Sequence, residues 1–303
     1  MPELPASDTA RRRAILATAQ ADPFNPKAYP ERGIDAFQYS SVLELAEAPA
    51  QPWVAPRAGV EPGTVQTHAL ASTILGNTRD IQLYRPAGWR PGGADNHVLV
   101  LFDAGPYLSR VPTPTILDNM IAAGVIPPTA AVLISNPTAD SRAAELPPNP
   151  DFADFLAREL MPWAARQGIA APAARTVIGG SSYGGLASSY AALRHPEVFG
   201  NVLSQSGSYW WGQPGQEDQW LTRQFAARRT LPVRFYLVAG LFEMGRAGQP
   251  GIVETNRHLR DVLQAKGYRV THQEVAGGHD YLSWRGTLSD GLIDLIGTGK
   301  AGR

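Results

Sequence analysis

Arg175-Thr-Val-Ile-Gly-Gly-Ser-Ser-Tyr-Gly-Gly-Leu-Ala-Ser-Ser-Tyr-Ala-Ala-Leu193 decides how the rest of the chain is read. Its first four residues are a short apolar run of strand type, and Leu186–Leu193 has the composition of a helix. Between them Gly180-x-Ser182-x-Gly184 has room only for a sharp turn. The same pentapeptide also occurs in loops that merely turn a chain; flanked by strand and helix it becomes a nucleophile elbow. Such a turn needs glycine, since Cβ atoms at 180 and 184 are expected to collide with the neighbouring strand and helix. Ser182 is then presented at a strand's carboxyl end, its Oγ facing a cleft.

Outward from the elbow, strands and helices alternate. Val65–Leu75 and Asp80–Tyr84 read as strands, as do His97–Phe102, Ala131–Ile134, Asn201–Ser204, Val233–Val238 and Tyr268–Val275. Helical patterns fall at Ile116–Ala123, Phe152–Gln167, residues 216–229, Ile252–Lys266 and residues 280–296. This alternation predicts an α/β fold with a mostly parallel central sheet flanked by helices on both faces. Residues 64–303 are expected to form this catalytic domain. Residues 1–63 read as a Pro-rich N-terminal arm, or the remnant of a further domain or linker, with a possible short helix at 8–20 and recurrent prolines thereafter.

Lys plus Arg and Asp plus Glu both number 27, so the formal net charge is zero and there is no electrostatic reason to expect nucleic acid or an anionic membrane as partner. The chain has no cysteine, which removes disulfides, thiolate catalysis and Cys-based zinc sites. No signal-like or membrane-spanning segment is evident, so a cytoplasmic protein is the expectation.

A serine hydroxyl needs a base. Of six histidines, His279 follows a strand through Ala276-Gly277-Gly278 and precedes the last helix, where this architecture presents its base. The two glycines are expected to let that loop approach the nucleophile. The acid belongs after an intermediate strand, and Glu243, in Ala239-Gly240-Leu241-Phe242-Glu243, takes that place. Oxyanion donors are expected from the backbone N–H of Tyr183 and from Gly105 in Asp103-Ala104-Gly105-Pro106, since Pro106 has no N–H. The order nucleophile, acid, base is that of the α/β-hydrolases.

The blocks Gly180–Gly185, Ser204-Gln-Ser-Gly-Ser-Tyr-Trp-Trp211 and Gly277-Gly-His-Asp-Tyr-Leu-Ser-Trp-Arg-Gly286 closely resemble the enterochelin (enterobactin) esterases, of the esterase D-like branch of α/β-hydrolases. Leu101–Gly105 and Ser141–Leu146 are similar to the same family, and the likeness spans about 64–297. Beside the family, most of an N-terminal β-rich domain is expected to be absent from residues 1–63, and Asp103-Ala104 stands where Asp-Gly is usual. The resemblance implies a serine esterase that hydrolyses the lactone bonds of a catecholate siderophore such as ferric enterobactin and so serves iron acquisition. No cofactor or metal site is expected, iron arriving only with the substrate. Tyr209, Trp210, Trp211 and Trp284 are then candidates to stack on catechol rings, and Arg142 and Arg285 to meet the charge of a ferric catecholate. Two other readings stay open: a carboxylesterase, feruloyl esterase or thioesterase of the same branch, and a catecholate-binding protein without catalysis.

Overall fold

The computed structural model describes Ala14, residues 17–18, 22–25 and 27–29, and residues 40–299 except 214, 246 and 247. The chain divides into two compact units, Met1–Ala50 and Gln51–Arg303. In the first, β1 (Ala28–Tyr29) pairs antiparallel with β2 (Ser40–Ser41). The helix expected at 8–20 lies largely outside the described residues.

The second unit is built on one eight-stranded sheet: β3 (Thr64–Ser72), β4 (Asn77–Arg85), β5 (His97–Leu101), β6 (Thr129–Ile134), β7 (Thr176–Ser181), β8 (Asn201–Gln205), β9 (Arg234–Gly240) and β10 (Arg269–Val275). Their spatial order is β10-β9-β8-β7-β5-β6-β4-β3; the β3–β4 and β4–β6 pairs are antiparallel and the other pairs parallel. The expected α/β architecture is therefore the observed one. β6 to β8 are buried from end to end, which is why they read as continuous apolar runs; β3 and β10, at the edges, are not.

Alternate residues along each strand serve opposite faces. Val98, Val100, Ile178, Val202, Phe235 and Leu237 join one core cluster, and Leu99, Leu101, Val177, Leu203, Tyr236 and Val238 the other. Nine α-helices are described in this unit: α1 (Ala104–Ser109), α2 (Thr113–Ala122), α3 (Ala139–Glu145), α4 (Pro150–Phe155), α5 (Met161–Arg166), α6 (Tyr183–Arg194), α7 (Trp220–Ala227), α8 (Ile252–Ala265) and α9 (Tyr281–Ile296). α4, α6, α7 and α8 pack on the first face, α2 and α9 on the second.

Several details differ from the sequence reading. α1 and α3 were not expected; Pro106 is tolerated in α1 because it falls in the first turn, where its missing N–H has no intrahelical acceptor anyway. The single helix expected over Phe152–Gln167 carries a π turn at Leu156–Leu160, and the N–H of Met161 reaches back to the carbonyl of Leu156. Pro162 supplies the cause, since it cannot donate and its ring would strike the carbonyl four residues earlier.

β4 is tied to α3 by a buried fork: Arg79 donates to Glu145 Oε2 at 2.9 Å and to Oε1 at 2.7 Å, with the Phe155 ring 4.8 Å from the guanidinium. Glu145→Ala would leave a buried cation unpaired and is expected to cost roughly 3–5 kcal/mol in urea unfolding. A loss below about 1 kcal/mol would show that water compensates the arginine.

β5 lies between β6 and β7, so the chain runs outward in opposite directions from this point. Open α/β sheets form their binding crevice at such a switch, outside the strands' carboxyl ends. The loops after β5, β7, β8, β9 and β10 all emerge along that edge.

Candidate active site

Ser182 sits between β7 and α6 with φ 58° and ψ −120°. A side-chain-bearing residue adopts such angles only when its surroundings over-determine them. Here its N–H donates to Gln205 O at 2.9 Å, and its carbonyl accepts from Ser208 at 3.1 Å and Leu186 at 3.2 Å. The glycine argument holds at Gly180, where a Cβ would come within 3.1 Å of Gly184 backbone and 3.2 Å of Phe102. It fails at Gly184, where the nearest atom would be an ordinary 3.6 Å away. Gly185 is the second crowded position, because a Cβ there would press into Ser204 Oγ and lie 3.0 Å from Gly207 Cα.

β9 and β10 pair in register through Val275 and Gly240, which sets the loops carrying Glu243 and His279 side by side. A hydrogen bond joins His279 Nδ1 to Glu243 Oε1. The other carboxylate oxygen accepts from the N–H of Gly240 at 2.6 Å and from Ser206 Oγ at 2.7 Å. Glu243 is buried while the imidazole is 42% exposed, so the acid is fixed in the protein and the base faces the cleft. The close approach of these loops depends on Gly240 and Gly277: a Cβ at 240 would strike the carbonyl of Gly277, and one at 277 the Ser283 hydroxyl. Gly278, expected to share this task, has nothing within 4 Å of such a Cβ.

Ser182, Glu243 and His279 line one open cleft of about 490 Å³ together with Ser208, Trp210, Phe242, Met244, Pro250, Gly251 and Ile252. Ser182 Oγ is hydrogen-bonded to Ser208 Oγ at 3.2 Å. With Nδ1 engaged by the carboxylate, Nε2 is the imidazole nitrogen left for the serine proton. The set can perform acyl transfer: a hydroxyl on a strained turn, a base, and an acid that orients it. Tyr183 opens α6, so its N–H has no intrahelical acceptor. Gly105, in the first turn of α1, lines a neighbouring cavity with Asp103 and Arg142 rather than the Ser182 cleft.

The expected substrate-binding residues separate. Trp210 is 39% exposed and lines the cleft. Tyr209 is fully buried, its hydroxyl bonded to Ser189 and Ser204 at 2.7 Å each, and burial pushes its pKa up to about 12. Trp211 packs edge-on against Trp220 on the core. Trp284 is 5% exposed, its indole N–H donating to Ser206 Oγ at 3.0 Å. Tyr209 and Trp284 are thus held inside the protein, and Trp211, half-buried, lines a different cavity with Pro147 and Asn149 rather than the Ser182 cleft.

The arginines are likewise engaged. Arg142 forks onto Asp103 at 2.6 and 2.7 Å, which raises its own pKa further, and Arg285 donates to Gln51 Oε1 at 2.5 Å. Neither lines the Ser182 cleft among the described residues. Phe242 and Met244, 76% and 59% exposed on the two sides of Glu243, were missed. Their signal was available: two large apolar side chains in a loop at the sheet's carboxyl edge have no core to enter.

Asp280 caps α9 by accepting from Leu282 N at 2.7 Å, and His195 lies between Asp154 and Glu197 at the far end of α6. Both side chains are engaged in local structure away from Ser182. No helix among the described residues is long and apolar enough to cross a membrane.

The family described as "Putative esterase" matches residues 72–295, and the one described as "Enterochelin esterase, N-terminal" matches residues 1–54. The iron(III) enterobactin esterase of Escherichia coli O6:H1 is 35% identical over 288 residues, covering 93% of this chain and 69% of that protein. The iron(III) salmochelin esterase of the same organism is 30% identical over 308 residues, covering 94% and 69%. The crystal structure of the Shigella flexneri enterobactin esterase in the presence of enterobactin superposes with a TM-score of 0.80 at 34% identity, covering 95% of this chain and 71% of that one.

Proposed function

Because the chain belongs to the enterochelin esterase family of α/β-hydrolases, we propose that it is a serine esterase that opens the lactone bonds of a catecholate siderophore trilactone such as ferric enterobactin. One observation carries the reading: Ser182 and the His279–Glu243 pair share a cleft whose wall is aromatic and apolar, in Trp210, Phe242 and Met244.

His279 Nε2 takes the Ser182 proton as Oγ bonds to the lactone carbonyl carbon. The tetrahedral oxyanion is met by the N–H of Tyr183, the first residue of α6. Collapse breaks the ester C–O bond, and the imidazolium returns its proton to the departing serine-derived alkoxide. Water, deprotonated by the same imidazole, then cleaves the acyl-enzyme. The chemistry asks for no cofactor of the protein's own; iron enters as part of the substrate and loses its ligand cage as the trilactone is cut. A chain without cysteine suits the cytoplasm as its place of action.

Mass spectrometry after incubation with ferric and iron-free trilactone tests the substrate. Linear dihydroxybenzoyl-serine products should accumulate. An intact trilactone beside rapid hydrolysis of p-nitrophenyl acetate would instead identify a general esterase of the same branch. Phe242→Ala should raise KM for the trilactone by roughly three- to tenfold, the worth of one aromatic contact. An unchanged KM would remove this ring from the binding wall.

A further inference from the structure

The chemistry above uses neither Ser206 nor Trp284, yet both are buried against the acid–base pair. Ser206 has φ 49°, an uncommon conformation for a residue with a Cβ, and its N–H is held by Val238 O at 2.7 Å. Its hydroxyl donates to Glu243 Oε2 and accepts the indole N–H of Trp284. Trp284 is gripped a second time by the residue before Ser206, since Gln205 Nε2 donates to the Trp284 carbonyl at 2.7 Å. The indole then lies edge-on to the imidazole of His279, ring centres 4.8 Å apart at 85°.

We infer that Ser206 and Trp284 are positioning residues that act through Glu243 and His279, locking the carboxylate so that Oε1 alone is presented to the base. A carboxylate can rotate about its last bond and offer either oxygen. Here Oε2 is occupied by Gly240 N–H and the Ser206 hydroxyl, leaving Oε1 for Nδ1. The Ser206 hydroxyl has one proton, and the indole N–H can only donate. With Trp284 donating to its oxygen, Ser206 must send its own proton to the carboxylate. The direction of the chain indole, hydroxyl, carboxylate is therefore set by chemistry. Trp284 serves both members of the pair, reaching the acid through Ser206 and walling the base directly.

The proposal rests on Ser182, Glu243 and His279 acting as a triad, and the test separates the two ideas. Ser206→Ala and Trp284→Phe each break the chain, the second while keeping an aromatic wall. Steady-state kinetics on an activated p-nitrophenyl ester should show kcat falling roughly ten- to a hundredfold, as for small misplacements of catalytic groups, with KM within about twofold. The same substitutions placed in a Glu243→Gln background should change kcat less than about twofold, because the group they orient is no longer a carboxylate. Equal losses in both backgrounds would mean a general structural role and overturn the proposal, as would an unaltered kcat in both single variants. If Ser206→Ala fails to fold, Trp284→Phe gives the same comparison. Activity persisting in Ser182→Ala would instead refute the triad itself.

Discussion

Ser182→Ala is expected to fold like the parent and to hydrolyse esters at least about a thousandfold more slowly. The fold should survive because three backbone hydrogen bonds, through Gln205, Ser208 and Leu186, hold residue 182 in its strained conformation, and none involves the hydroxyl. Alanine has a Cβ as serine does, so it meets the same φ of 58° at similar cost. Activity should collapse because the acyl-enzyme has no other oxygen on which to form. The neighbouring Ser208 hydroxyl, 3.2 Å from Ser182 Oγ, stands on a different loop and does not inherit the turn that presents the nucleophile. Residual turnover would measure what the oxyanion donors and substrate binding achieve with water alone. Near-wild-type kcat in a correctly folded Ser182→Ala protein would end the mechanism.

His279→Ala should lose a comparable factor in kcat, and the double variant with Ser182→Ala should be little worse than either alone. Groups that act as one unit are strongly non-additive. In the proposed mechanism His279 accepts the serine proton and later returns it, so without it the hydroxyl stays protonated near neutral pH and the leaving alkoxide has no acid. The substitution is structurally mild, for the imidazole is 42% exposed and gives up one hydrogen bond, to the Glu243 carboxylate, and an edge contact with the Trp284 ring. Losses that multiply, measured by single-turnover kinetics on the same ester, would mean that the two side chains act independently and that a different base serves Ser182.

Much of the site was legible because its parts follow strands in chain order. The Ser182 turn could be read from six or seven consecutive residues, and Glu243 and His279 from their places after β9 and β10. What could not be read were the partners those strands bring together. An aromatic block such as Tyr209-Trp210-Trp211 has the same composition whether its rings face substrate or core, and the structure sends Tyr209 inward, Trp211 against Trp220 and Trp210 to the cleft. Arg142 looks like an available cation until Asp103, 39 residues earlier, is found beneath it. Gly184 looked as necessary as Gly180, yet Gly185 is the one that crowds Ser204.

The amino-acid sequence alone determined the alternation of strands and helices, the sharp serine turn, and the places of Ser182, Glu243 and His279 after their strands, because backbone preference and hydropathy period act over a few neighbouring residues. Tertiary structure alone decided which atoms meet: that Trp284 reaches Glu243 through Ser206 across 78 residues, and that Phe242 and Met244 flank the acid at the cleft. Those encounters depend on the register of parallel strands joined by long crossovers. Such pairing is set by the packing of both sheet faces at once, and no local stretch of chain encodes it.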